Sequence, residues 1–176
     1  MSDLGGFSYL RPCGPEDDAF LYDVFCTTWA SEVAALPNPR LAPHVLRIRH
    51  IAQERQFASL HPGHQRFVVL HDDEPAGRLY VHERGSRMHV LDLTLLPCFR
   101  ARGLGTRVTR DLFGEATERG KSVTLRLARR NVRACELYSS LGFRLVGADD
   151  VDNFFEWTPP SVDSPADARA CVSQSA

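Results

Sequence analysis

A chain of 176 residues with 43% hydrophobic and 24% charged residues has the balance of a globular protein and the size of one domain. Its formal net charge of −1 argues against nucleic acid or an anionic membrane as partner, so any anion must be recognised locally. Five cysteines without CxxC spacing, and no signal peptide, favour reduced thiols in a cytoplasmic protein, and no apolar run approaches the roughly 20 residues that span a bilayer.

Residues 7–10 form a short apolar run followed by Arg11-Pro12-Cys13-Gly14-Pro15, which reads as a first strand and a turn. Pro15 at a first helical position, with Glu16, Asp17 and Asp18 behind it, predicts a helix whose acids suit the positive end of its dipole. Phe20, Leu21, Val24, Phe25 and Thr28 recur at three- and four-residue steps, carrying this helix on until Leu36-Pro37 stops it. A second helix spans 41–60, with Val45, Ile48, Ile51, Ala52 and Phe57 as its expected buried face, and His61-Pro62-Gly63 ends it. His61 and His64 fall in that turn, which reads as a surface loop and not as a metal site. Strands over 66–70 and 77–82 flank a polar hairpin connection at 71–76, and another strand covers 88–96 before Pro97.

The pattern then changes period. Leu104, Val108, Leu112 and Ala116 predict a helix over 103–119 that Gly120 closes. A strand at 123–127, a helix at 132–141 and strands at 143–147 and 154–158 follow. Helical crossovers imply parallel pairing and hairpins imply antiparallel pairing, so the expected fold is α/β with a mixed sheet. From Pro159 onward large apolar residues are nearly gone, which predicts one domain over 1–158 and a disordered tail at 159–176.

Two segments carry chemistry. The first, Leu95-Leu96-Pro97-Cys98-Phe99-Arg100-Ala101-Arg102-Gly103-Leu104-Gly105-Thr106, joins a strand to a helix. The first amides of a helix lack internal partners and point outward at its positive end. Gly103 and Gly105 would let phosphate oxygens approach those amides, and Arg100 and Arg102 add positive charge. Alone, R-x-x-G-x-G describes an ordinary strand-to-helix turn equally well, and it is neither a Walker loop nor a dinucleotide fingerprint. The second segment runs from Asn131 through Ala134, Leu137 and Tyr138 to Gly142-Phe143. Asn131 is a natural N-cap, and Tyr138 lies two helical turns beyond it on roughly the same face.

Together the two segments resemble the GCN5-related N-acetyltransferase superfamily. The cofactor-loop pattern Q/R-x-x-G-x-G/A is matched by Arg100, Gly103 and Gly105. The helix pattern N-x-x-A-x-x-L-Y-x-x-x-G-F is matched by Asn131, Ala134, Leu137, Tyr138, Gly142 and Phe143. The resemblance implies a single-domain α/β fold: a mixed, mostly antiparallel sheet splayed between its fourth and fifth strands, with helices on both faces. It also implies acetyl-CoA as co-substrate, its pantetheine arm pairing with the fourth strand. The implied contacts are Leu95, Leu96 and Pro97 (which has no N–H to donate), the stretch Arg100, Ala101, Arg102, Gly103, Leu104, Gly105 and Thr106, and Asn131 and Arg133 beyond it.

Acetyl transfer needs a neutral amine near the thioester, a polarised carbonyl and a proton for the leaving thiolate. The resemblance assigns Tyr138 as general acid, against the plain alternative of a buried aromatic on a packed helix. For the base, a family position on the fourth strand falls on His89, and one on the fifth strand falls on Arg126, which closes that route. Asp92 interrupts an apolar strand and, by simple alternation, points to the opposite face from His89. Arg129, Arg130 and Arg133 crowd the start of the second motif helix, where one of them would meet the 3′-phosphate, while Cys98 and Cys135 read as bystanders. The expected partners are acetyl-CoA and a primary amine of a small molecule or protein, with no metal, nucleic acid or membrane. Homodimers are common in the family. A non-catalytic acyl-CoA sensor is the competing reading.

Overall fold

The computed structural model describes residues 4–160, so Cys171 and residues 161–176 of the expected tail lie outside the described residues. One seven-stranded sheet organises the chain, in the order β1-β2-β3-β4-β5-β7-β6. Its strands are β1 (Leu10–Pro12), β2 (Gln65–His71), β3 (Glu74–Arg84), β4 (Arg87–Leu95), β5 (Ser122–Ala128), β6 (Arg144–Ala148) and β7 (Asp152–Trp157). Helices α1 (Asp18–Thr28), α2 (Ala30–Ala34) and α3 (Ala42–Leu60) precede β2; α4 (Leu104–Glu118) links β4 to β5, and α5 (Val132–Ser140) follows β5. Among the described residues only β4 and β5 pair in parallel. The crossover through α5 does not put β6 beside β5, because β7 returns between them, antiparallel to both.

α4 and α5 cover one face. The expected stripe of Leu104, Val108, Leu112 and Ala116 packs there against Val81, Val90, Val123 and Phe155. Full burial of each large aliphatic side chain contributes about 1.5–3 kcal/mol, so this stripe sets which face of α4 meets the sheet. α1 and α3 cover the other face, where Phe57 of α3 meets Tyr80 of β3 with ring centroids 5.9 Å apart.

Several expectations change. The first strand is Leu10–Pro12 and not 7–10, because the Leu10 N–H turns back to Phe7 O while the Tyr9 carbonyl accepts from Leu70. Pro12 is tolerated because β1 is an edge strand. The helix expected to run from Pro15 to Leu36 breaks at Trp29, whose φ of −110° and ψ of 5° are not helical, giving α1 and α2. The hairpin connection shrinks to Asp72-Asp73, both left-handed at φ 52° and 64°, the backbone that a two-residue β-hairpin turn requires.

α3 is rotated from its expected orientation. Ile48 is 68% exposed, and Ile51 and Ala52 face out with it. The inward face carries His50, Gln53 and Glu54 beside Phe57. Arg78 is the reason. It sits fully buried on β3, donating to Gln53 Oε1 at 2.9 Å and to Leu21 O at 3.3 Å, with Glu54 Oε1 at 3.8 Å. A buried cation must be partnered, and that requirement outweighs burial of two isoleucines. No helix among the described residues is long and apolar enough to cross a membrane.

Candidate functional site

β4 and β5 pair only from Arg87↔Ser122 to Val90↔Leu125, then part, β4 running on to Leu95 and β5 to Ala128. β3 holds β4 through this stretch. At Gly77 a Cβ would lie 2.3 Å from Thr94 O, so only glycine allows the two strands this approach. The Leu96 N–H donates to Ala76 O at 2.9 Å on the β3 side. Strand alternation therefore turns the main-chain groups of Leu93 and Leu95 toward the open edge. Of these, Leu95 O accepts from Arg100 Nε at 2.8 Å, and Arg100 Nη2 reaches Thr27 Oγ1 at 3.0 Å.

Beyond β4, Pro97–Phe99 make one 3₁₀ turn, and the chain then passes through two left-handed residues, Ala101 at φ 58° and Gly103 at φ 81°. Left-handed backbone at a non-glycine residue costs about 1–2 kcal/mol and commonly marks a functional turn. Among the described residues no backbone carbonyl accepts from the amides of 101–106. They converge at the N-terminus of α4 as a nest for an anion. Ala101, Gly103, Leu104, Gly105 and Thr106 line a cavity of about 530 Å³ there, with Asn131 and Arg133 opposite.

Arg102, Leu96 and Pro97 are not brought to this cavity. The Arg102 guanidinium stacks on Phe99, 5.7 Å from the ring centroid. The Arg100 guanidinium faces Thr27 instead of the amides. Arg129 donates to Asp149 O and Arg130 pairs with Glu32, leaving Arg133 as the arginine of that trio beside the nest.

Asn131 caps α5, its Oδ1 accepting from the Ala134 amide at 3.3 Å. Farther along α5, Tyr138 is 8% exposed and edge-on to Phe143. It lines a central cavity of about 690 Å³ that also takes in Leu91, Asp92, Leu93 and Leu127. Burial, and then the negative charge of Asp92, push its phenol up to about 12. The phenol is therefore fully protonated at neutral pH.

β4 does not alternate simply. Val90 pairs with Val81 and Asp92 with Tyr80, so Leu91 bulges out of the ladder. The expectation that His89 and Asp92 lie on opposite faces is corrected by this bulge: both lie on the α1–α3 face. Asp92 accepts from Arg78 Nη2 at 2.5 Å and from Thr94 Oγ1 at 2.6 Å. The His89 ring lies 6.2 Å from His61 at the end of α3, with its Nδ1 2.6 Å from Thr124 Oγ1. Burial lowers the His89 pKa, assisted by His61, His82, Arg87 and Arg84, so the ring is neutral at pH 7. It faces a third cavity of about 640 Å³ that adjoins the central one, the two sharing Val90, Leu91, Leu125, Arg126 and Gln53 in their walls.

Arg78, Thr124, His61 and Gln53 escape the sequence reading. Only Arg78 leaves a signal there, an arginine set in the apolar run Ala76-Gly77-Arg78-Leu79-Tyr80-Val81. Cys98 is exposed and Cys135 half-buried, both as free thiols.

The sequence matches the family model described as FR47-like protein over residues 79–151, from β3 to the turn before β7. No curated protein matches it by sequence. A PaiA N-acetyltransferase from Thermoplasma acidophilum, solved in complex with coenzyme A, aligns with 85% of this chain and 97% of its own at 17% identity, with a TM-score of 0.66. The ribosomal-protein-S18-alanine N-acetyltransferase from Escherichia coli aligns over 89% and 96% at 18% identity, with a TM-score of 0.58. Nourseothricin acetyltransferase aligns over 56% of this chain and 67% of its own at 27% identity, with a TM-score of 0.51. At these identities the first two likenesses are of fold: a single α/β domain around a mixed sheet.

Proposed function

We propose that the chain is a member of the GCN5-related N-acetyltransferase superfamily and moves the acetyl group of acetyl-CoA by direct transfer onto a primary amine of a small molecule or protein. One observation carries the reading: the unpaired amides of 101–106 open at one end of the β4–β5 gap, and the Tyr138 phenol lies within it. The loop fits a diphosphate. Ala101, Gly103, Leu104, Gly105 and Thr106 all border the open cavity of about 530 Å³, and a Cβ built on Gly103 meets nothing within 4 Å. Leu93 and the Leu95 N–H offer strand-like pairing to the amides of a pantetheine arm.

In this reading the amine nitrogen bonds the acetyl carbon while the carbon–sulfur bond breaks, giving the N-acetyl product and free CoA. Tyr138 gives its proton to the departing sulfur. A phenol at about 12 is a poor acid toward a solvated thiolate, whose thiol has a pKa near 8.5. The sulfur departs inside the same buried cavity, however, and burial raises its basicity too. His89, neutral at pH 7, takes the amine proton through water from the adjoining cavity. Asp92 keeps lone pairs beyond those bonded by Arg78 and Thr94 and offers them to the amine N–H.

Titration with acetyl-CoA should raise the Tm, and a primary amine should then release CoA. Tyr138→Phe should lower kcat about 100-fold while leaving the acetyl-CoA-induced shift in Tm intact. Full activity in that variant would remove Tyr138 from the acid role. An unchanged Tm at saturating acetyl-CoA would end the transferase reading.

A further inference from the structure

We infer that the acceptor is a monoamine with an apolar body of about aryl size, seated on the uncovered sheet face between α3 and β6; this rests on the transferase reading above. The cavity there has a volume of about 640 Å³, a small-molecule size. Its floor is built by alternate residues of parallel and antiparallel neighbours: His89 of β4, Thr124 and Arg126 of β5, and Phe154 and Glu156 of β7. His89 marks the amine end, next in sequence to Val90 and Leu91, which line both this cavity and the one that holds Tyr138.

Charge decides against a polycation. Among the described residues that line these adjoining cavities, four are carboxylates, and each is already matched by an arginine. Asp152 accepts from Arg126, Glu156 lies 3.5 Å from Arg87, Glu32 lies 2.6 Å from Arg130, and Asp92 accepts from the buried Arg78. Glu156 is further engaged by the Ser122 hydroxyl at 2.7 Å. A polyamine or aminoglycoside would bring several ammonium groups against arginines with no free carboxylate to receive them. A single amine carries one positive charge and loses it before reaction.

Apolar surface decides the rest. Phe57 and Leu60 of α3 converge with Val146 and Phe154 on this cavity, and Leu60 and Val146 stand 59% and 60% exposed. Single exposed aliphatics are ordinary, but these line opposite walls of one cleft, beyond the paired charges and away from Tyr138. The apolar body lies between them with its amine toward His89.

Calorimetric titration of the CoA-saturated protein with 2-phenylethylamine and with spermidine tests this without requiring turnover. We expect 2-phenylethylamine to bind about tenfold more tightly, and to show about tenfold higher kcat/KM with acetyl-CoA. Leu60→Asp with Val146→Asp, both at exposed positions, should remove this preference and favour spermidine while keeping the acetyl-CoA-induced shift in Tm. Equal or tighter binding of spermidine by the unaltered protein would overturn the acceptor assignment and leave the transferase reading standing. Tight binding of 2-phenylethylamine without CoA release would do the reverse.

Discussion

The Nδ1 atom of His89 lies 2.6 Å from the hydroxyl oxygen of Thr124, its register partner across the parallel step between β4 and β5. That bond commits one ring nitrogen and leaves Nε2 to exchange protons with the cavity. Thr124→Val keeps the β-branched shape and the strand but deletes the bond. We expect a stability loss of about 1 kcal/mol and a fall in kcat/KM of roughly tenfold or less, with the acid limb of the pH–rate profile displaced. An unmoved acid limb would separate Thr124 from the proton-accepting group.

His50, His61, His82 and His89 all have lowered pKa values, in each case by burial first. Their unfolded value is near 6.5, so the unfolded chain binds protons that the native state refuses. Stability should therefore be level above about pH 6.5 and decline as pH falls through the lower folded values. Asp17 and Asp149, whose pKa values are lowered by hydrogen bonds, lose their contribution only in a more acidic window, below about 3.8. Thermal melts between pH 8 and pH 5 measure the histidine part, and His82→Gln should make it shallower by one of the four contributions. A Tm that does not move across that range would contradict the linkage.

Legibility followed the range of the interaction. The left-handed Gly103, the N-cap Asn131 and the stripe Leu104, Val108, Leu112 and Ala116 satisfy demands set within a turn or two of chain, and each demand leaves its residue type in place. The inner face of α3 depends on Arg78, 25 residues beyond Gln53, so its periodicity points the wrong way. The bulge at Leu91 leaves no trace in Val90-Leu91-Asp92-Leu93, which reads as a regular strand, yet it brings Asp92 to the same face as His89. Thr124 is invisible for the same reason: its role exists only where β5 meets β4.

Gly105 separates folding from ligand binding. A Cβ there meets only Leu95 Cδ1, at 3.7 Å, an ordinary contact, and alanine stabilises a helix relative to glycine by about 1 kcal/mol. Gly105→Ala should thus fold at least as stably as the parent. The same methyl stands in front of the amides at the start of α4, so CoA should lose about tenfold or more in affinity, read as a reduced ligand-induced shift in Tm. Gly103→Ala is the contrast: at φ 81° it should cost about 1–2 kcal/mol before any ligand is added. Undiminished stabilisation of Gly105→Ala by CoA would move the diphosphate away from α4.

Arg78 and Asp92 form the ion pair that sets the α1–α3 face, with Arg78 fully buried and the Asp92 side chain 9% exposed. Removing one partner leaves the other charge stranded in a poorly solvated layer. Arg78→Met alone should cost about 3–5 kcal/mol, visible as a lower denaturation midpoint. Arg78→Met combined with Asp92→Leu removes both charges together and should restore much of that loss, because a desolvated pair is close to neutral against apolar residues of similar size. Activity should separate from stability in this cycle. The double variant regains its fold but lacks the carboxylate beside Tyr138, so its kcat stays low if Asp92 holds the amine and recovers if Asp92 serves only to satisfy Arg78. Recovery of both would assign the pair to the fold alone.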